Sequence, residues 1–182
     1  MDSGESSYRR FLEGDKSGFD NVMDMYHAPL VSFITRYVGN ENDAEDIAAD
    51  TFLELLVHPS RFSFKCSLKT YIYSIARHRA VDFARKKRHQ IFDADLDVLP
   101  DGEDSPADTA ISKERNAAVR EALANINGEY AEALYLLYID GLCEDEIMRI
   151  TKKNRRQLSN IIYRAKAAMK KELIRSGFSY EE

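Results

Sequence analysis

Features that support catalysis, metal binding or membrane insertion are scarce in this chain of 182 residues. It has only two cysteines and four histidines, and their positions show none of the spacings typical of zinc sites. The longest apolar run, residues 133–139, is far shorter than the ~20 residues that cross a bilayer. The polar, acidic start shows no secretory signal. We therefore expect a cytoplasmic protein without membrane insertion, with Cys66 and Cys143 in or near the core.

The arrangements that carry common enzyme chemistry are also absent from the sequence. It contains no nucleophile–base pair, P-loop or glycine-rich phosphate cradle. His78 and Asp82 stand four positions apart, but we interpret them as neighbours on a helix surface rather than as a catalytic pair. We therefore expect no enzymatic activity, no metal ion and no cofactor.

What the chain does have is an uneven distribution of charge. Its formal net charge is −5, yet 16 of its 26 basic residues lie within residues 77–88 and 149–175. The first block holds six cations and one acid, a balance of +5, and the second holds ten cations and one acid, a balance of +9. A polyanion responds to charges within a Debye length of about 8–10 Å rather than to the net charge. Both blocks are therefore candidates for binding nucleic acid.

Helical periodicity dominates the sequence, without convincing strand alternation, and this predicts an all-α fold. Residues 91–112 interrupt the pattern, because they contain seven acids, two prolines and no basic residue. Such a composition is typical of a flexible linker. We therefore predict two small helical domains, residues 1–90 and 113–182, joined by an acidic linker at 91–112.

Two helices of the N-terminal domain carry charge in distinct patterns. The helix after residue 43 has an apolar stripe through Phe52, and its other side is acidic, with Asp43, Asp46, Asp50 and Glu54 at three- and four-residue steps. This side is either a solvated face or a docking site for a basic partner. The next helix, with Ser67 as its predicted N-cap, runs to about residue 88 and interleaves aromatic rings with cations. That combination suits the unstacked bases and phosphates of a single strand, although a basic helix end also serves solubility alone.

The C-terminal domain has the outline of a helix-turn-helix. A short helix at 144–150 is followed by a turn at 151–154 and a longer basic helix at 155–175. One face of the longer helix is apolar, with Leu158, Ile161, Ile162, Ala165 and Met169. Arginine pairs with guanine and Asn or Gln with adenine in the major groove. The first turn and the opposite face hold the candidate readers Arg155, Arg156, Gln157, Ser159, Asn160, Tyr163 and Arg164. A solvated basic helix end is the alternative.

Two stretches of the sequence resemble the extracytoplasmic-function (ECF) group of bacterial RNA polymerase sigma factors in the sigma-70 family. They occur in the same order as in that family, with the linker between them. The first comprises residues 43–53 and 67–78, and the second runs from Gly141 to Lys166. The resemblance implies a C-terminal domain that reads the minus-thirty-five element with the residues above. It also implies an N-terminal domain that docks on core polymerase through Asp43, Asp46, Asp50, Phe52 and Glu54. The 67–88 helix would then read the opened minus-ten element with Tyr71, Tyr73, Arg77, His78, Arg85, Lys86 and Lys87.

The chain departs from the usual pattern of that family at several positions. The family often has Trp at Tyr71, Arg at Ser74, Asn at His78 and Gly at Lys152. The function implied is that of a sigma factor whose partners are core RNA polymerase and promoter DNA, and the family also has anti-sigma factors as partners. The alternatives are a stand-alone helix-turn-helix regulator and a helical adaptor that binds no DNA.

Overall fold

A computed structural model describes residues 4–90 and 110–177. All regular elements in this part are helical, which confirms the all-α prediction. The chain divides into two compact units, Met1–Asp101 and Gly102–Glu182. Residues 91–109 of the predicted linker lie outside the described residues, whereas residues 110–112 belong to a helix rather than to a linker. No helix in the described ranges has both the length and the apolar character needed to span a membrane.

The N-terminal unit is built from four helices: α1 (Gly4–Leu12), α2 (Ser17–Val38), α3 (Glu41–Val57) and α4 (Leu68–Gln90). A short 3-10 turn, Pro59–Arg61, follows α3. Helix α2 packs against the other three helices. The fully buried side chains of this unit are mostly large and apolar, and they include Tyr8, Val22, Leu30, Phe33, Ile34, Leu55, Leu68, Ile72 and Tyr73.

Polar contacts fix where these helices begin and end. Gly39 ends α2 with a φ of +83°, which a glycine adopts without steric cost. The side chain of Asn40 then accepts a hydrogen bond from the Asp43 N–H at 2.8 Å and caps α3. The Thr70 N–H donates to Ser67 Oγ at 3.1 Å, which confirms Ser67 as the cap of α4.

Helix α1, which sequence periodicity did not reveal, ties the unit together. Its Glu5 carboxylate accepts a hydrogen bond from the Leu68 N–H at 2.7 Å, at the start of α4. Its buried Tyr8 hydroxyl donates to the Leu55 carbonyl at 2.9 Å, in the last turn of α3. Carbonyls in the last turn have no partner inside their own helix, so the Tyr8 hydroxyl satisfies a group that would otherwise be buried without a hydrogen bond.

The C-terminal unit contains α5 (Ala110–Asn125), α6 (Gly128–Leu134), α7 (Glu144–Thr151) and α8 (Arg155–Arg175). Helix α8 packs against the other three. The sequence predicts one helix from 129 to 140, but the segment Tyr135–Ile139 is π-helical, with the Asp140 N–H donating to the Tyr135 carbonyl at 3.0 Å. Gly141 ends this segment with a φ of +65°.

The structure corrects the prediction for Cys143. Its side chain is exposed at the start of α7, where its backbone N–H donates to Glu146 Oε2 at 3.0 Å. The residue therefore belongs to the capping turn of the helix rather than to the core. Cys66 is half-buried, and neither cysteine forms a disulfide in the part of the chain that the structure describes.

Candidate nucleic-acid and polymerase interfaces

One side of α4 presents a row of the predicted minus-ten residues. Tyr71, His78 and Arg85 recur every seven residues, so they lie along the same side of the helix. His78, Arg85 and the neighbouring Lys86 are exposed. We call Tyr71, His78, Arg85 and Lys86 the outer row of α4. Arg77 is half-buried beside it.

Tyr71 gives the outer row an aromatic end. Its ring lies 5.1 Å from that of Phe62, and Phe62 in turn lies 4.5 Å from Phe64. Burial raises the pKa of the Tyr71 hydroxyl from its usual value, and the nearby Glu54 carboxylate adds to the effect. Tyr71 is therefore held as a neutral, half-buried ring. Phe62 and Phe64 were not predicted for this surface, because their loop has no helical period.

Besides Arg77, two predicted minus-ten residues lie off the outer row, and both face away from it. Two residues along a helix turn a side chain by ~200°, so Tyr73 faces away from Tyr71 and Lys87 faces away from Arg85. Tyr73 is fully buried, with its ring 4.9 Å from that of Phe33, and its assignment to the DNA surface is wrong. Lys87 instead forms an ion pair with Asp43 of α3, at 3.1 Å.

The acids of α3, which we call the acidic face (Asp43, Asp46, Asp50 and Glu54), are mostly paired with cations of the same unit. Arg79 of α4 lies 3.3 Å from Asp50 and 3.5 Å from Glu54, and Arg61 also pairs with Glu54. Asp46 is exposed, with no such pair in the described part of the chain. Its carboxylate is therefore accessible to a partner from solvent.

Asp43 shows how strongly one of these pairs is held. Burial alone would raise the pKa of this carboxyl. The hydrogen bond from Asn40 and the ion pair with Lys87 outweigh that effect, so the pKa lies below its usual value. Asp43 is thus occupied within the unit, by the helix cap on one side and by α4 on the other.

The prediction that Phe52 docks on polymerase is wrong, because Phe52 is buried and stacks on His27 at 6.1 Å. It belongs to the apolar stripe of α3 that faces α2. The apolar residues that do reach solvent on α3 are Leu53, Leu56 and Val57, with 53%, 45% and 57% of their surface exposed. Sequence reasoning missed them, although their positions outside the apolar stripe were a signal.

In the C-terminal unit, α7, the turn at residues 152–154 and α8 form the predicted helix-turn-helix. Leu158, Ile161, Ile162 and Ala165 are buried, as the apolar pattern predicts. The opposite side of α8 is fully exposed, and Tyr163 reaches 78% exposure. We call this side the outer face of α8; it contains Arg156, Ser159, Asn160, Tyr163 and Arg164.

Two further predicted readers are engaged within the unit. The Gln157 side-chain oxygen accepts from the Asn154 N–H, and Asn154 Oδ1 accepts from the Gln157 N–H, both at 2.9 Å. This reciprocal capping box fixes the start of α8. Arg155 Nη2 donates to Asp145 Oδ1 of α7 at 2.8 Å. Both side chains remain exposed, but neither is free of internal contacts.

The turn has an unusual backbone at Lys152. This residue ends α7 with a φ of +56° and a ψ of +34°, in the left-handed region that favours glycine. The neighbouring Lys153 forms an ion pair with Glu129 at 2.5 Å. Lys153 therefore ties the turn to α6, while Lys152 stays exposed.

Comparisons with known proteins agree with this arrangement. Residues 22–90 match the Sigma-70 region 2 family. The chain is 27% identical over 176 residues to the ECF RNA polymerase sigma factor SigW of Bacillus subtilis, covering 91% of this chain and 94% of SigW. It is 30% identical over 131 residues to the ferric citrate uptake sigma factor FecI of Escherichia coli, covering 71% of this chain and 75% of FecI. In fold, it is similar to the sigma factor RpoE of Bartonella quintana, solved with the anti-sigma factor NepR (TM-score 0.71, 16% identity, covering 85% of this chain and 96% of RpoE).

Proposed function

The chain belongs to the ECF group of the sigma-70 family, which binds core RNA polymerase and directs transcription initiation at promoters, and from this premise we propose how its surfaces divide that work. Residues 1–90 act as the domain for core polymerase and the minus-ten element, residues 91–109 as the linker, and residues 110–182, which begin with α5, as the domain for the minus-thirty-five element. The protein works in the cytoplasm, beside the polymerase. It supplies binding energy and strand capture, and it catalyses no bond chemistry itself.

The outer row of α4 captures the opened minus-ten strand. The observation that supports this role is the seven-residue recurrence of Tyr71, His78 and Arg85 on an exposed side. An aromatic ring gives a base a surface to stack on, and cations hold the adjacent phosphates. Lys86 within the row and Arg77 beside it add positive charge.

The outer face of α8 reads the minus-thirty-five duplex. The observation that carries this proposal is the pair Arg156 and Asn160, exposed on one face of the second helix of a helix-turn-helix. The first turns of such a helix reach base edges in the major groove. Arg156 is suited to guanine and Asn160 to adenine, because each can form two hydrogen bonds with that base.

Helix α3 docks on core polymerase through a surface that is acidic and apolar together. Asp46 supplies an exposed charge with no ion pair among the described residues, and Leu53, Leu56 and Val57 supply exposed apolar area. Interfaces with permanent partners commonly combine an apolar centre with a polar rim. The partner surface is therefore basic at the end of α3 near Asp46 and apolar near Val57.

An anti-sigma factor is a further partner. RpoE, which shares the fold, was solved with such a partner, NepR. An anti-sigma factor that covers the apolar residues of α3 would compete with core polymerase. Adding core polymerase should then release it, and a complex that holds both proteins at once would argue against this site.

Transcription by the reconstituted holoenzyme tests the division between α4 and α8. Promoters with randomised minus-ten and minus-thirty-five elements are transcribed with wild-type, Arg156→Ala, Asn160→Ala or His78→Asn protein, and the transcripts are sequenced. The α8 variants should lose about 1–3 kcal/mol of discrimination at single minus-thirty-five positions, with the minus-ten profile unchanged. The His78 variant should change the minus-ten profile and leave the minus-thirty-five profile unchanged.

Lys171→Ala serves as the control, because Lys171 is exposed on α8 about 16 Å further along the helix than Asn160. It should leave both profiles unchanged. An unaltered minus-thirty-five profile in both α8 variants would contradict the proposal for α8. A stand-alone regulator would bind these duplexes without core polymerase, and the match to region 2 does not favour that alternative.

A further inference from the structure

One carboxylate stands among the cations of α4, where its charge opposes DNA binding. Asp82 is the only acid within residues 77–88. It is partly exposed beside the outer row, with 37% of its side-chain surface accessible. A carboxylate there repels the phosphates that the neighbouring cations attract. A favourable contribution of Asp82 to DNA recognition would have to compensate for this repulsion.

Asp82 contacts two members of the outer row at once. Its Oδ1 accepts a hydrogen bond from Arg85 Nη2 at 3.2 Å, and its Oδ2 lies 3.6 Å from His78 Nδ1. The three residues stand at positions i, i+4 and i+7, so they form a line along the helix. Each oxygen of the Asp82 carboxylate thus lies next to a different member of the outer row.

In this geometry Nδ1 of His78 is the ring nitrogen near Asp82, so Nε2 lies on the far side of the ring. A carboxylate beside Nδ1 favours the tautomer of the neutral ring that carries its proton on that nitrogen. The outward Nε2 of a neutral imidazole is a hydrogen-bond acceptor. On the base edge that faces the major groove of a duplex, adenine and cytosine offer an amino group to such an acceptor, whereas guanine and thymine offer only acceptors there.

We propose that Asp82 is a positioning residue that sets the base preference of His78 on the opened strand, favouring at one position adenine and cytosine, whose amino groups lie on their major-groove edge. This proposal rests on the role of α4 proposed above. Asp82 acts by orienting the imidazole ring, and it also holds Arg85 beside it. The frequent Asn of the family carries both a donor and an acceptor, so its preference needs no such orientation.

The experiment uses holoenzyme assembled from the full chain and core polymerase. Its probes are a promoter library with randomised minus-ten positions and a matching randomised single strand. Asp82→Asn should lower the preference at the His78 position by about twofold to fivefold, as expected for losing two helix-surface pairs. The same change should raise overall strand retention and its salt dependence, because a repelling charge is gone. Asp82→Glu, which keeps a carboxylate at this position, should retain the wild-type base preference.

A purely structural role for Asp82 would give a different pattern. A less stable helix would lower discrimination and retention together, and that result would overturn the proposal. Asp24→Asn, an exposed site on α2 with the same change in charge, should alter neither quantity.

Combining the variants shows whether Asp82 acts through His78. In the His78→Asn background, Asp82→Asn should leave the preference at that position unchanged. An undiminished effect there would overturn the proposal. If His78→Asn changes the base preference at a minus-ten position but Asp82→Asn does not, the inference about Asp82 fails and the proposed role of α4 stands. If no outer-row variant alters the minus-ten profile, both fail.

Discussion

Asp46 offers the most direct test of the docking surface on α3. The other three acids of the acidic face already have cationic partners: Lys87 for Asp43, Arg79 for Asp50, and Arg79 with Arg61 for Glu54. Their charges are partly neutralised before any partner arrives. Asp46 is exposed and forms no such pair within the described ranges, so a change there alters the charge of the proposed docking surface without breaking an ion pair in those ranges.

The expected size of the effect follows from this exposure. An exposed ion pair contributes about 0.2–1 kcal/mol, so Asp46→Asn should weaken core polymerase binding by up to about fivefold. Asp46→Lys replaces attraction with a repulsion of similar size and should weaken it by about two- to thirtyfold. Asp50→Lys should also weaken binding, but it releases Arg79 as well, so its effect includes a change inside the unit.

Fluorescence competition for core polymerase, at low and high salt, measures these affinities. The loss in Asp46→Lys should shrink as salt rises, because ions screen exposed charges. Asp24→Lys on α2 is the matched control, and thermal unfolding should show the same midpoint for both variants. Unchanged affinity of Asp46→Lys at low salt, or an equal loss in the Asp24 control, would refute the docking surface.

Two further predictions concern stability and are measured by chemical or thermal unfolding of the full chain. Tyr8→Phe leaves the Leu55 carbonyl without its buried partner and should cost about 1–3 kcal/mol. Burial raises the pKa of Tyr8 to about 12, so the wild type should lose stability as the pH rises from 10 toward 12, and the phenylalanine variant should lack this contribution. Lys152→Gly should stabilise the chain by about 0.5–1 kcal/mol, because it relieves a left-handed backbone, whereas Lys152→Ala should not. Equal unfolding midpoints for Gly and Ala at position 152 would contradict that explanation.

Periodicity predicted the helices that are most regular. The apolar positions of α8, including Leu158 and Ala165, are buried as their spacing implies, since one face of this helix packs and the other is exposed. The helix-turn-helix outline and the cap at Ser67 could also be read from residue types. These features depend on local chemistry, which a sequence displays directly.

The errors arose where tertiary contacts decide the outcome. Tyr73 looked like part of an aromatic and basic surface, but its direction around α4 turns it toward Phe33 of α2. Phe52 was assigned to both the apolar stripe and the docking site, and burial against His27 leaves only the first role. The π-helical turn at Tyr135–Ile139 has no sequence period of its own, so an ordinary helix was predicted there.

The ion pairs between α3 and α4 have a thermodynamic consequence. Arg79 and Lys87 are held by carboxylates of the acidic face, and Arg79 is shared between Asp50 and Glu54. A ligand that draws Asp43 away therefore leaves Lys87 without its counter-charge. That cation is then available to another anion. Thermodynamic linkage requires that the second ligand change the affinity for the first by the same factor. Two ligands of opposite charge would therefore strengthen each other's binding to this unit without either one moving a helix.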